Sequence, residues 1–276
     1  MESQWSACDV MVNGLRFHYH RTGAGKPPVV LLHGATDNGL CWARVAQALQ
    51  SEYDLIMIDA RGHGLSDASE TGYSADGQAA DVAGLVKALH LDQPVLVGHS
   101  MGAATAATAA ARYPGLARAI VLEDPPWRDK AWGNAGAQAE HAQLWRSNLL
   151  EYKAKSTDEL AAICRAANPT WDDLDIIPWA ESKKQFSASL DSFFTNLGGL
   201  TQWRDVVSAI TCPVLLIVAD PAAGAIVTPQ LACEAASLWR RGRVVHIPGA
   251  GHNVRREQFE AYMAAVAGFL KEVHKA

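Results

Sequence analysis

The segment of this 276-residue sequence that points most clearly to a chemical role contains a serine between two glycines. Residues 98–102 read Gly-His-Ser-Met-Gly, after an apolar run over 95–97 and before an alanine-rich, helix-forming stretch. Glycines two residues to either side leave room for a sharp strand-to-helix turn that exposes the serine hydroxyl at a helix N-terminus. The alternative is a tight turn in which the serine only caps the helix. The strand before and the helix after this segment, called the serine turn below, favour Ser100 as a nucleophile.

A serine hydroxyl is a weak nucleophile unless a base accepts its proton, so a histidine is needed. His252 follows the last apolar run in a Pro-Gly-Ala-Gly-His segment and precedes the last helix-like stretch. This loop is expected at the same sheet edge as Ser100, which makes His252 the candidate base. His33 and His63 lie in glycine-rich turns, where structural roles are expected.

Acyl transfer also needs hydrogen-bond donors for the negative charge that develops on the carbonyl oxygen. Residues 31–38, Leu-Leu-His-Gly-Ala-Thr-Asp-Asn, end an early apolar run in a loop at that same edge. We expect the backbone N–H groups of Ala35 and Met101 to form this oxyanion hole. Taken alone, the loop is an ordinary strand-ending turn, and it gains a functional interpretation from Ser100 and His252.

The elements that must position these residues form an alternating pattern. Apolar runs of strand length alternate with helix-like stretches, which predicts an α/β fold whose mostly parallel central sheet is flanked by helices. An Asn13-Gly14 turn predicts an opening hairpin at an antiparallel edge. The predicted strands cover 29–32, 55–58, 95–97, 119–122, 214–218 and 244–247, and the predicted helices 42–49, 74–89, 100–113, 229–239 and 255–273.

The alternation stops between residues 124 and 204, where helix-like stretches cover roughly 138–152, 157–167 and 181–197. We expect residues 1–124 and 205–276 to form one core domain, and residues 125–204 to form a helical cap over the carboxyl ends of the strands, where open α/β sheets bind ligands. Six of the nine tryptophans fall between 127 and 203. Most are expected to bury the cap on the sheet, whereas Trp127 and Trp179 are predicted to contact substrate.

Composition excludes several other classes of protein. With 24 Lys plus Arg against 29 Asp plus Glu, the net charge is -5 and both signs are scattered, so nucleic acid and anionic membranes are not expected partners. The sequence shows no secretory-signal pattern and no apolar run of membrane-spanning length, so a cytoplasmic protein is expected. Five widely spaced cysteines without a Cys-x-x-Cys pair predict neither disulfides nor a metal site.

Four segments together resemble the α/β-hydrolase superfamily: the serine turn, the His33-Gly34 loop, the Asp-Ala-Arg-Gly-His-Gly-Leu-Ser segment at 59–66 and the Gly-Ala-Gly-His segment at 249–252. The resemblance covers nearly the whole chain, with the insertion where that superfamily carries its helical cap. It implies a serine hydrolase of esterase or lactonase type that needs no cofactor. Ser100, where the superfamily's epoxide hydrolases and haloalkane dehalogenases carry aspartate, argues against those two activities.

The acid that orients the histidine stays open between two carboxylates. In the superfamily it usually follows the strand that here ends at Val218, which indicates Asp220, although more residues than usual separate Asp220 from Val227. Some lipases and lactonases of the superfamily carry the acid after the preceding strand, which indicates Asp124. We take Asp124 as the first choice and Asp220 as the alternative.

Three functions follow from these residues. The first is hydrolysis of an ester, lactone or related carbonyl bond in a mainly apolar small molecule, through a Ser-His-Asp triad and an acyl-enzyme. The second is a C–C hydrolase, or a cofactor-free haloperoxidase or lyase, that uses the same triad. The third is a small-molecule receptor that keeps the pocket without turnover.

Overall fold

A computed structural model defines the fold and describes residues 5–128, 135–187 and 203–275. Its strands are β1 (Ser6–Val12), β2 (Leu15–Arg21), β3 (Pro28–Leu32), β4 (Asp54–Ile58), β5 (Val95–His99), β6 (Ala119–Glu123), β7 (Val214–Val218) and β8 (Gly242–His246). They form one sheet in the spatial order β1-β2-β4-β3-β5-β6-β7-β8. Strand β2 pairs antiparallel with β1 and β4, and the remaining neighbours pair in parallel. The predicted α/β class and mostly parallel sheet are confirmed.

The opening hairpin forms the antiparallel edge of the sheet, as predicted. Val12 of β1 lies opposite Leu15 of β2. The two residues between them, Asn13 and Gly14, have φ angles of 52° and 79°. Positive φ at both central positions is what a tight hairpin turn with the right-handed strand twist requires, and Asn-Gly accepts it at low cost.

Helices connect the strands and cover both faces of the sheet. Several begin with a side-chain cap: Ser74 accepts a hydrogen bond from Gly77, Thr228 accepts one from Leu231, and Ser156 and Glu159 form a reciprocal capping box. In chain order the helices are α1 (Ala43–Leu49), α2 (Ala75–Ala88), α3 (Met101–Arg112), α4 (Ala135–Ala154), α5 (Thr157–Ala167), α6 (Asp173–Gln185), α7 (Trp203–Ser208), α8 (Pro229–Leu238), α9 (Val254–Glu257) and α10 (Phe259–Lys275).

Two apolar layers hold the sheet between the helices. In β5, Leu96 packs into the layer under α2, α3 and α8, whereas Val95 and Val97 pack into the opposite layer with α1 and α10. Successive side chains of a strand point to opposite faces, so a strand that is covered on both faces must be apolar throughout. This explains why the central strands read as continuous apolar runs.

Two predicted helices differ from those observed. Helix α6 begins at Asp173, earlier than the predicted start at residue 181, because Asp172 caps it by accepting a hydrogen bond from Leu174 and the helix continues through Pro178. Residues 188–197 of that prediction lie outside the described chain. The predicted final helix is divided at Gln258 into α9 and α10. In the described part of the chain, none of the helices is both long and apolar enough to cross a bilayer.

Candidate active site

The candidate residues follow the carboxyl ends of neighbouring parallel strands. Ser100 follows β5, Asp124 follows β6, and His252 lies in the loop after β8. The loop of residues 33–38, called the oxyanion loop below after the role predicted for Ala35, follows β3, which pairs with β5. Parallel strands end at the same edge of the sheet, so the topology brings these loops to one face of the molecule.

The serine turn is sterically tight. Ser100 has φ 51° and ψ −114°, a conformation that non-glycine residues adopt only when their surroundings enforce it. A Cβ atom at position 98 would lie 2.2 Å from the Gly102 carbonyl oxygen, and one at position 102 would lie 2.1 Å from the Leu32 carbonyl oxygen. Only glycine therefore fits at both positions, and the start of α3 packs directly on the end of β3.

His252 is hydrogen-bonded to a buried carboxylate. Its Nδ1 lies 2.6 Å from Asp124 Oδ2, and the Asp124 side chain is fully buried. The backbone N–H groups of Ile226 and Val227 donate to the same carboxylate at 2.8 and 2.9 Å. A carboxylate that accepts from Nδ1–H fixes the ring tautomer and leaves Nε2 available to accept a proton.

Asp220, the alternative acid, binds a different histidine. Its Oδ1 lies 2.7 Å from His246 Nε2, and its Oδ2 accepts a hydrogen bond from Gly249 N–H at 2.7 Å. These contacts, first the Gly249 N–H and then His246, hold the pKa of Asp220 below its ordinary value. Asp220 thus secures the start of the loop that carries His252, while Asp124 contacts His252 itself.

The oxyanion loop lies against the serine turn. A Cβ atom at Gly34 would lie 2.7 Å from His99 Nδ1 and 3.6 Å from Ser100 Cβ. Ala35 and Met101, the two predicted oxyanion donors, pack into one apolar cluster with Tyr73, Leu149 and Phe186. Because α3 begins at Met101, the N–H of that residue has no carbonyl within the helix to bind. Ala35 and Met101 therefore lie in one cluster, and Met101 directly follows Ser100.

Three buried histidines support these loops in the neutral form. His33 Nδ1 donates to the Gly34 carbonyl at 2.8 Å and His33 Nε2 accepts from Ala60 N–H at 3.0 Å, while burial lowers the pKa of His33. Burial lowers the pKa of His63 to about 3. His99 Nε2 donates to the His252 carbonyl at 2.9 Å, and burial holds the pKa of His99 well below its ordinary value. The predicted structural roles of His33 and His63 fit these contacts, whereas the link from His99 to His252 was not predicted.

Comparison with known proteins identifies the family. The alpha/beta hydrolase fold model matches residues 27–148. The chain is 31% identical to N-formylmaleamate deformylase from Pseudomonas putida, over 95% of both proteins. It is 29% identical to 2-(acetamidomethylene)succinate hydrolase from Mesorhizobium japonicum, over 95% of this chain and 94% of that protein. A crystal structure of E-2-(acetamidomethylene)succinate hydrolase superposes with a TM-score of 0.78 at 26% identity, covering 97% of this chain and 100% of that one.

The chain belongs to the α/β-hydrolase family. Its relatives over nearly full length are hydrolases of this type, so the chain is an α/β-hydrolase enzyme. The family fold accounts for the strand order and for the convergence of the candidate residues at one sheet edge. Within the described residues, His, Cys, Asp and Glu side chains form no group of three that could hold a metal ion.

A buried cluster of charged side chains joins the oxyanion loop, the end of β6 and the segment after His252 in this α/β-hydrolase. Asp37 of the oxyanion loop pairs with Arg256 at 2.9 Å and with Lys183 of α6 at 3.1 Å. Glu123, which precedes Asp124, accepts hydrogen bonds from the backbone N–H and the guanidinium of Arg255 at 2.9 and 3.1 Å. Burial would raise the pKa of Asp37, but Arg256, Lys183 and Arg255 outweigh it and hold that pKa well below its ordinary value. Sequence reasoning missed this cluster, although the Arg-Arg pair soon after His252 was a visible signal.

Trp127, which was predicted to contact substrate, is packed in the core. Its side chain is 2% exposed. Its ring stacks on that of Trp203 with centroids 5.0 Å apart and 14° between the planes, and lies 6.3 Å from the ring of Trp239. This packing buries the segment where the chain leaves β6, and a substrate contact by Trp127 stays a prediction.

Trp179 lies in α6 and is half-buried. Its ring packs edge-on against Tyr152, with centroids 5.6 Å apart, and the Lys183 ammonium lies 4.9 Å from its centroid. Lys183 also binds Asp37, so the Lys183 side chain connects the Trp179 ring to the oxyanion loop. A substrate contact by Trp179 stays a prediction. Trp132 lies outside the described residues.

Replacement of Gly102 by alanine is expected to destabilise the fold. The new Cβ would lie 2.1 Å from the Leu32 carbonyl oxygen, so α3 and β3 must separate, and overpacking of this kind costs about 1–3 kcal/mol. Gly268→Ala is the matched control, because a Cβ there meets nothing within 4 Å and the helix should gain about 0.5–1 kcal/mol. Denaturant unfolding measures both changes, and equal stability of the two variants would contradict the close approach.

Proposed function

We propose that this α/β-hydrolase is a serine hydrolase in which Ser100, His252 and Asp124 form the catalytic triad. The observation that carries the proposal is the 2.6 Å hydrogen bond from His252 Nδ1 to the buried Asp124 carboxylate, at the sheet edge where Ser100 occupies a strained strand-to-helix turn. A buried carboxylate, an oriented imidazole and an activated hydroxyl are the three parts that this chemistry needs.

In the proposed reaction, Ser100 Oγ attacks the substrate carbonyl carbon while His252 Nε2 accepts the hydroxyl proton. Asp124 keeps the ring in the correct tautomer and stabilises the imidazolium. The N–H groups of Ala35 and Met101 stabilise the tetrahedral oxyanion. His252 then gives its proton to the leaving group, and a water molecule activated by His252 releases the acyl group from Ser100.

We assign residues 125–204 to a cap over a core made of residues 1–124 and 205–276. Support comes from Leu149 of α4 and from Phe186, just after α6, which pack against Ala35 and Met101 beside the proposed oxyanion hole. Helix α6 also contacts the oxyanion loop through Lys183. A small-molecule substrate that reaches Ser100 would therefore pass between the cap and the strand ends.

A second candidate differs in the bond that is cleaved. Ester or lactone hydrolysis follows from the resemblance to esterases and lactonases, but the relatives matched over nearly full length are named for N-formylmaleamate and 2-(acetamidomethylene)succinate. Both names describe a small carboxylate with an acylated nitrogen. A triad with an oxyanion hole cleaves amides by the same steps as esters, with His252 protonating the leaving nitrogen. We therefore also propose amide hydrolysis of small N-acylated carboxylates.

A fluorophosphonate probe is expected to label Ser100 stoichiometrically in the folded protein. The probe reacts with a serine whose hydroxyl is activated by a base, and N–H donors beside that serine stabilise the phosphoryl oxygen of the probe. Peptide mass spectrometry locates the adduct, and Ser100→Ala is expected to abolish it. Ser66, which is buried and donates its hydroxyl to the Asp59 carbonyl, is an internal control that should remain unlabelled. Absence of an adduct at Ser100 would reject the serine-hydrolase proposal.

Two asparagine variants distinguish the candidate acids. Asp124→Asn is expected to lower turnover about 10⁴-fold, because the amide presents the wrong partner to Nδ1–H and no longer stabilises the imidazolium. Asp220→Asn should cost less than about tenfold, since Asp220 binds His246 and Gly249 and acts on His252 only through the loop. Initial rates on a p-nitrophenyl ester provide the measurement. The reverse order of losses would transfer the acid role to Asp220.

A substrate panel tests the bond that is cleaved. N-formyl and N-acetyl amides that carry one or two carboxylates are compared with the matched esters that carry the same acyl groups. If the chain shares the chemistry of its relatives, kcat/KM for the best amide should exceed that for its ester by at least about tenfold, although esters are intrinsically easier to cleave. The opposite ratio, with lactones also turned over, would favour the esterase or lactonase function.

A further inference from the structure

Lys183 of α6 buries its ammonium group against the oxyanion loop. The side chain is 5% exposed. Its Nζ donates to the Thr36 carbonyl at 2.9 Å, to Thr36 Oγ1 at 3.1 Å and to Asp37 Oδ1 at 3.1 Å. All three donors of the ammonium are thus used, and two of them go to a single residue of the loop.

Thr36 has an unusual backbone conformation. Its φ angle is 62°, in the left-handed region that β-branched residues rarely adopt. Such a conformation persists only when neighbouring contacts enforce it. The Lys183 ammonium binds both oxygens of Thr36 and so opposes rotation of this residue toward an ordinary conformation. Ala35, the proposed oxyanion donor, is the preceding residue.

We propose that Lys183 is a positioning residue: from the cap helix it holds Thr36 in the left-handed conformation and so aims the Ala35 N–H at the oxyanion. This inference rests on the proposed function, because it takes Ala35 as an oxyanion donor. If Lys183 has this role, the geometry of the oxyanion hole depends on the packing of α6 against the core, because an α6 that moved away would release Thr36.

The other contacts in the region do not need Lys183. Asp37 keeps Arg256 at 2.9 Å, so its carboxylate stays paired without the ammonium. Helix α6 remains attached to the core through Asn38 Nδ2, which donates to Gln185 Oε1 at 2.8 Å, and through the 3.4 Å pair of Arg44 and Asp175. Loss of the Lys183 ammonium therefore removes its hold on Thr36, one of the ion pairs of Asp37 and the contact with the Trp179 ring, and of these only the hold on Thr36 acts on the residue next to Ala35.

The test compares two adjacent lysines of α6. Lys183→Met should lower kcat about 10- to 100-fold with KM within about threefold of wild type, because loss of a whole oxyanion donor costs about 10²–10³ in kcat and a misaimed donor costs part of that. Lys184→Met is the control. Lys184 is exposed and binds the Lys155 carbonyl at 2.7 Å within the cap, so its replacement should change kcat less than about twofold. Equal losses in the two variants would overturn the proposal.

A glycine at position 36 separates positioning from stability. Glycine adopts positive φ without steric cost, so in a Thr36→Gly background Lys183→Met should lower kcat less than about threefold. A purely structural role predicts the same fold loss in both backgrounds, following the loss in Tm, and that result would overturn the proposal. If Lys183→Met does not fold, Lys183→Gln takes its place with the same expected ratio.

Amide hydrogen exchange provides a readout that does not depend on catalysis. Peptides covering residues 33–40 should exchange faster in Lys183→Met than in wild type or Lys184→Met, because the loop is released. This measurement separates the two proposals. An unlabelled Ser100 in wild type rejects the serine hydrolase and leaves the exchange result to test the hold on Thr36. Unchanged exchange in Lys183→Met rejects the role of Lys183, whatever the labelling shows.

Discussion

The close approach of the Leu32 carbonyl, at the end of β3, to the serine turn is the constraint on which the rest of the site depends. Glycine at positions 98 and 102 lets the start of α3 contact the end of β3, and the Ser100 N–H donates to the Glu123 carbonyl at the end of β6 at 3.0 Å. The turn therefore fixes the ends of the strands on either side of β5. The oxyanion loop begins where β3 ends and Asp124 follows Glu123, so neither can shift without disturbing Ser100.

Buried charges extend this constraint to the loops further from β5. Arg255 joins the segment after His252 to Glu123, and Arg256 joins it to Asp37 of the oxyanion loop. Burying so many charges is costly, and an apolar cluster of similar volume would often be as stable or more so. Directional ion pairs fix the relative position of loops in a way that apolar contacts do not. We infer that this cluster serves alignment of the loops more than net stability.

The sequence identified the strands, the serine turn and the His252 loop because each has a local signal, such as an apolar run or a pair of glycines. The choice between Asp124 and Asp220 has no such signal, because each follows a strand of the same sheet. Only the three-dimensional structure shows that Asp124 binds His252 and Asp220 binds His246. The stacking of Trp127 on Trp203 could not be predicted, because composition gives the number of tryptophans and not the contacts of each ring. Lys183 belongs to no motif, and its contact with Thr36 joins residues 147 positions apart.

The proposed acid after β6 also gives the loop after β7 a different role. In the commoner arrangement that loop carries the carboxylate, whereas here the N–H groups of Ile226 and Val227 bind both oxygens of Asp124. Because the donors are backbone N–H groups, the side chains of this loop need not be polar, and residues 223–227 are Ala-Gly-Ala-Ile-Val. The additional residues between Asp220 and Val227 let the chain bring two consecutive N–H groups to the buried carboxylate. A buried acceptor needs such donors, so the length of this loop and the position of the proposed acid follow from the same requirement.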